Sequence, residues 1–181
     1  VAEAQAASRA ALGRDRTALY DQEVVRHYMP YWLGLDTDTH LAVAGLSETL
    51  AEGENESAFS VDAERDATKA VFFMADHPGI FSRLAGALAF VGANVKDART
   101  FTTSDGVAAT VFWIQDGQGA PYEAGRLDRL TRSVARTLKG EVVAREALEP
   151  KDKLKKRERD FRVPTVISFD NQGSDIFTII E

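Results

Sequence analysis

The residue types of this chain come closest to a binding site where it reads Ala75-Asp76-His77-Pro78-Gly79-Ile80. Proline suits the first position of a helix, where its missing N–H costs nothing, and that places Asp76 or His77 at or near the N-cap. The N–H groups of Gly79, Ile80 and Phe81 then lack intrahelical partners. With the helix dipole they make a small seat for a carboxylate or phosphate. Gly79 has no Cβ, so a ligand can approach the backbone. A valine there is expected to cover the N–H groups at a helix-propensity cost below about 1 kcal/mol. Asn94, which opens a strand beside Val95, both donates and accepts and suits an amino-acid or amide ligand. Spacing does not decide whether Asn94 faces the Asp76 turn. An ordinary capped turn at 76–79 and a turn asparagine at 94 would read the same way.

Other chemistries find little support. The histidines are His27, His40 and His77, and none has a second histidine or a carboxylate at metal-ligand spacing, so no metal site is expected. Gly117-Gln118-Gly119 has no third glycine and no following helix, unlike a dinucleotide fingerprint. No phosphate loop, nucleophile elbow or Ser/His/Asp spacing is present, and no catalytic residue or cofactor is assigned. Cysteine is absent, which removes thiol catalysis, thiolate metal sites and disulfides and fits a reducing cytoplasm. A formal net charge of -6 argues against general binding to nucleic acid or an anionic membrane. Phe72 and Phe73 lack the basic aromatic segment of RNA-binding sheets. No run of 18 or more apolar residues offers a membrane span, and no charged segment followed by an apolar run opens the chain. The chain begins at Val1, as a piece of a longer protein would.

The elements that must position these residues follow from periodicity. Residues 1–55 read as a helical connector. An alanine-rich helix covers 1–12, a second runs over 15–28 to a break at Met29-Pro30, and a third, N-capped by Asp36, runs over 37–52 to Gly53. Two strands, 59–62 and 67–75, join through a turn at 63–66. A helix runs from the Asp76-His77-Pro78-Gly79 turn to about 91, with Ile80, Leu84, Leu88 and Val91 on one face. Strands at 94–102 and 107–115 flank Ser104-Asp105-Gly106. A helix over 123–138 and a last strand at 141–147 complete a domain of residues 56–150.

The order β-α-β-β-α-β predicts an α+β, ferredoxin-like fold with two helices on one face of a four-stranded antiparallel sheet. Phe112 and Trp113 point to opposite faces, so one face is expected to need a second domain or subunit to cover it. Residues 151–162 hold seven basic and three acidic groups, a local net of +4 that leaves -10 for the rest, and 151–164 reads as a basic linker. Residues 165–181 look like the first strands of a second copy. At an offset of 108, Ser60-Val61-Asp62 aligns with Ser168-Phe169-Asp170, and Val71-Phe72 aligns with Ile179-Ile180.

Several stretches together carry a family resemblance: 75–89 (ADHPGIFSRLAGALA), 92–103 (GANVKDARTFTT), 111–116 (VFWIQD), 138–145 (LKGEVVAR), 155–159 (KKRER) and 169–181 (FDNQGSDIFTIIE). The chain resembles the C-terminal regulatory region of the bifunctional uridylyltransferase/uridylyl-removing enzymes that act on PII signalling proteins. Residues 26–33 and 39–41 look like the connector before that region. The resemblance implies that 56–150 is an ACT domain, a small-molecule sensor used in pairs, and that the ligand is glutamine. It implies a second ACT domain or a homodimer as partner, and a PII protein as partner of the whole enzyme. The nucleotidyltransferase domain and the metal-dependent phosphohydrolase domain of the family would lie outside this chain. Carried over from ACT domains, the ligand site falls on Asp76, Gly79 and Ile80 at the helix start, with Asn94 and Val95 contributed from a paired domain. The alternative is a structural coupling module whose glutamine is bound only by the second copy.

Overall fold

A computed structural model describes residues 1–51, 54–141, 166–170, 172 and 179–180. The chain divides into two units, Val1–Pro150 and Lys151–Glu181.

In the first unit, alanine-rich α1 (Ala2–Leu12) ends at Gly13, whose φ of 82° is a backbone conformation that favours glycine. A 3-10 turn (Arg14–Arg16) leads into α2 (Thr17–Arg26). The break expected at Met29-Pro30 falls earlier. His27 and Tyr28 are extended, and Pro30 sits in the first turn of a further helix, α3 (Met29–Gly34). Proline there starts a helix rather than ending one, because no intrahelical acceptor is due to its nitrogen. Asp36 caps α4 (Thr37–Thr49) as expected, its carboxylate accepting the Thr39 N–H at 2.7 Å. The helix stops at Thr49, three residues before the predicted end.

The strands are β1 (Asn55–Asp62), β2 (Ala67–Ala75), β3 (Asn94–Thr102) and β4 (Val107–Gln115). Helix α5 (Ile80–Phe90) links β2 to β3, and α6 (Ala124–Leu138) follows β4. The sheet is antiparallel throughout, in the order β1-β2-β4-β3. This is an α+β fold with a ferredoxin-like sheet behind an N-terminal helical region. The hairpin expected from the turn at 63–66 is present as β1–β2, and β2 lies between β1 and β4. Four residues close it, at a small loop-closure cost. Of the expected last strand, Glu141 follows the α6 cap as a bend and the rest lies outside the described residues.

Alternation along β2 and β4 builds two cores. Phe72, Met74, Phe112 and Ile114 meet Ile80, Leu84 and Leu88 of α5 and Leu130 and Val134 of α6. Val71, Phe73, Val111 and Trp113 on the opposite face meet Tyr31, Trp32, Leu35, Val43 and Leu46. The expectation that this second face waits for another domain or subunit is therefore overturned: α3, α4 and the turn between them cover it. Trp113 is 2% exposed, its indole N–H donates to Asp62 at 2.8 Å, and the Arg65 guanidinium lies 4.1 Å from its ring centroid. Fully burying one large apolar side chain is worth about 1.5–3 kcal/mol, so a face with four of them on the strands alone draws any apolar helix nearby.

In the second unit, β5 (Phe169–Asp170) pairs antiparallel with β6 (Ile179–Ile180), a hairpin where one was expected. Its register is not that of the aligned segment. Phe169 faces Ile180, whereas their counterparts at the offset of 108 pair elsewhere, Val61 with Thr68 and Phe72 with Ser57. No described helix is long and apolar enough to cross a membrane.

Candidate functional site

The backbone departs from the β2 edge at Asp76, whose N–H donates to the Gly106 carbonyl at 2.9 Å in the β3–β4 turn. Thr102 Oγ1 donates to the Asp76 carboxylate at 2.8 Å. The two bonds fasten the start of the turn to the ends of β3 and β4.

The helix begins later than the sequence suggests. Gly79, with φ 87° and ψ 0°, is the N-cap, and Pro78 lies in the turn before it. Neither Asp76 nor His77 caps the helix. The Ile80 N–H, expected to be free, donates to the His77 carbonyl at 3.1 Å. Among the described residues the Gly79 and Phe81 N–H groups donate to no backbone carbonyl. The left-handed conformation at 79 also changes the expected effect of a valine there. Backbone strain, not helix propensity, now sets the cost.

Asp76, His77, Pro78, Gly79, Ile80, Phe81, Thr100 and Thr102 line an open hollow of about 490 Å³. Its inner wall is apolar: Ile80 is buried in the core and the Phe81 ring stacks on Phe112 with centroids 5.3 Å apart. Its rim is polar, with the exposed Asp76 carboxylate, the two threonines and the N–H groups of the helix start. Such a hollow suits a small zwitterion with a short chain, an amine meeting the carboxylate and a carboxylate meeting N–H groups.

Three of the five predicted site residues, Asp76, Gly79 and Ile80, come together here. Asn94 and Val95 do not. They open β3, while Thr102 closes it, and nine residues of strand put the two ends about 25 Å apart. Both are exposed, as the contribution from a paired domain requires. Thr100 and Thr102 were missed by sequence reasoning. Their i, i+2 spacing marks one face of a strand, but only the sheet pairing shows which turn that face meets.

A second polar group, also missed, ties the helical region to the same hairpin. Arg26 donates from Nε and Nη2 to the two Asp105 oxygens at 3.3 and 2.6 Å, and from Nη1 to Glu23 at 3.3 Å and Ser47 at 2.8 Å. The Ser104 N–H donates to the Arg26 carbonyl at 2.8 Å. Glu23 and His27 lie 2.9 Å apart, and the His27 ring stacks on Tyr31 at 3.6 Å. The i, i+4 spacing of Glu23 and His27 was the available signal. Burial acts to raise the Glu23 carboxyl, but bonding to His27 and the Arg26 charge outweigh it and hold it below 4.5. Asp105 is likewise lowered from 3.8: bonds from Thr103 and Arg26 overcome its partial burial. Among the described residues no group of three His, Asp or Glu converges on a point that could hold a metal ion.

No protein-family model matches the chain. It is similar to curated proteins named bifunctional uridylyltransferase/uridylyl-removing enzyme. Identity is 63% over 159 residues with that of Cereibacter sphaeroides, covering 88% of this chain and 17% of the relative. It is 55% over 177 residues with that of Ruegeria pomeroyi, covering 92% and 20%. With that of Azospirillum brasilense it is 35% over 189 residues, covering 98% and 20%. The chain thus spans about a fifth of the length of these relatives or less.

Proposed function

From the premise that this chain corresponds to one segment of the bifunctional uridylyltransferase/uridylyl-removing enzymes, we propose that it is a regulatory segment that senses glutamine and carries no catalysis of its own. The sheet and its crossing helices act as an ACT domain. The Asp76 hollow takes the amino acid, with the carboxylate of Asp76 on the ligand amine and the Gly79 and Phe81 N–H groups on its carboxylate. Asn94 and Val95 serve the equivalent hollow of a paired domain, either a second ACT copy or a second chain.

The observation that carries this reading is the pair of unanswered N–H groups at a helix start beside an exposed carboxylate, above an apolar floor. Uridylyl transfer and removal, the divalent metal they need and the contact with a PII protein belong on this reading to parts outside the chain, in the cytoplasm.

Calorimetric titration of the 181-residue chain with glutamine tests it. Saturable heat that disappears in Asp76→Asn supports the site; heat unchanged by that substitution, or no heat at all, overturns it. A second reading, a coupling module with glutamine held only by the other copy, draws on the Arg26–Asp105 bond between helices and hairpin. On that reading the chain alone gives no heat, and a longer chain with both copies does.

A further inference from the structure

The turn at 103–106 is held from two sides. On one side Arg26 brackets it. The guanidinium donates from Nε and Nη2 to the two Asp105 oxygens at 3.3 and 2.6 Å, and the Arg26 carbonyl accepts the Ser104 N–H at 2.8 Å. On the other side the Gly106 carbonyl accepts the Asp76 N–H at 2.9 Å. Gly106 itself has a φ of 82°, and glycine has the widest choice of backbone conformations, so its carbonyl points where its two neighbours direct it. Val107 is fixed in β4, its carbonyl accepting the Thr103 N–H at 2.8 Å. Asp105 belongs to no strand, and its fixed partner is Arg26. The Asp105 side chain is 51% exposed against 9% for Arg26, so the guanidinium is the built-in half of the pair and the carboxylate comes to it.

We propose that Arg26, acting through Asp105, is a positioning residue for the Asp76 ligand site. Packing between the helices and the sheet is supplied separately, by Tyr31, Trp32 and Val43 on Phe73, Val111 and Trp113. What the polar pair adds is a fixed place for the hairpin tip. Arg26 is itself placed by Glu23 of α2 at 3.3 Å and Ser47 of α4 at 2.8 Å. The placement of these helices therefore sets the Gly106 carbonyl, and with it the backbone that carries the Asp76 carboxylate. By linkage, a ligand that fixes that carboxylate favours one placement of the helices. Without the pair, the Asp76 carboxylate relies on its bond from Thr102. The inference rests on the reading of the Asp76 turn as the glutamine site, and it names the residue that places that site.

Arg26 lies buried against Glu23, so the test removes the pair from its exposed end. Asp105→Ala leaves the guanidinium on Glu23 and Ser47 and takes away only its grip on the hairpin. Residue-resolved amide hydrogen exchange of the 181-residue chain should show the Asp76 amide at least about tenfold faster in this variant, with amides at the centre of β2 and β4 unchanged. Asp105→Glu, which keeps a carboxylate for the guanidinium, should slow the Asp76 amide again. Calorimetric titration should show glutamine bound at least about fivefold more weakly by Asp105→Ala, although Asp76 is intact. An unchanged Asp76 rate overturns the proposal, because the chain of bonds then ends at the hairpin. Acceleration of all amides alike overturns it in favour of a purely structural pair. Fast exchange that Asp105→Glu does not slow, or a glutamine affinity that Asp105→Ala leaves unaltered, overturns it as well. If the unsubstituted chain takes up no glutamine, the reading of the site fails, and the Asp76 exchange rate still decides whether Arg26 positions the turn.

Discussion

The Asp76 turn and the Arg26 junction hang from the same β3–β4 hairpin and are built on opposite principles. At the junction nearly every polar atom is answered: a bidentate guanidinium–carboxylate pair, a serine, a buried glutamate and a backbone N–H all converge. At the turn the carboxylate is exposed, two N–H groups donate to no backbone carbonyl and a glycine holds a left-handed bend. One arrangement is complete and fixes the helices to the sheet. The other is incomplete and leaves its polar groups to something from outside. The difference teaches that hydrogen bonding is left unfinished at the exposed turn, beside a junction where it is nearly complete.

The sharpest way to break this contrast is Arg26→Met. It leaves Glu23 buried beside His27 without its guanidinium and removes the side-chain bonds to the hairpin, keeping only the Ser104 N–H bond to the residue 26 carbonyl. The expected loss is about 3–5 kcal/mol, read by urea unfolding. A loss below about 1 kcal/mol would show that the junction does not hold the two layers together.

Acid should act next. The folded values of Glu23, Asp36 and Asp105 lie below their ordinary 4.5, 3.8 and 3.8. Their contribution is whole above those values and is lost as pH falls through the lowered ones. His40, lowered from 6.5 by burial, is favoured in its neutral form. Its contribution is whole above 6.5 and is lost as pH falls from there toward its folded value. Stability should therefore decline in two stages, one starting below about pH 6.5 and one below about pH 4.5. In Arg26→Met the second stage should shrink; an unchanged acid limb would remove the junction carboxylates from the account.

Gly79→Ala should cost about 1–2 kcal/mol, because alanine meets the left-handed φ of 87° with a steric penalty that glycine avoids. The space itself is ample, the nearest atom to an added Cβ being Ser82 Oγ at 3.8 Å. Thermal unfolding measures it, and no change in the midpoint would mean the bend relaxes freely. The smallest effect on stability belongs to Asp76→Asn, within about 0.5 kcal/mol for an exposed group. The same substitution should weaken glutamine binding at least about tenfold by removing a charge-assisted bond. That split between stability and affinity is what a receiving site requires, and equal losses in both would make the turn merely structural.

Much of the fold was legible in order and type of element. The spans 67–75, 94–102 and 107–115 were readable to the residue, because β-branched and aromatic runs stop at turn residues whose chemistry is local. The α5 and α6 faces were readable because Leu84, Leu88, Leu130 and Val134 repeat at helical spacing. At the candidate site, Gly79 and Ile80 were singled out by residue type and neighbours, and Asp76 as a ligand-facing group by the family resemblance. Thr100, Thr102 and Arg26 were not, since each acts through a strand or hairpin distant in sequence. The start of α5 was misplaced for a related reason: proline and glycine in succession permit a helix to begin at either, and the bond from Ile80 to His77 selects the later start.

What the sequence determined by itself is the alternation that gives β2 and β4 two apolar faces, the β1–β2 hairpin and the capping of α4 by Asp36. These depend on near neighbours and on backbone sterics that act wherever the chain goes. Only the tertiary structure decided that α3 and α4 take the Trp113 face and that Arg26 reaches Asp105. Apolar burial is non-directional and names no partner. The choice among helices and charges was made by which groups the folded chain could bring together at the least cost in loop entropy.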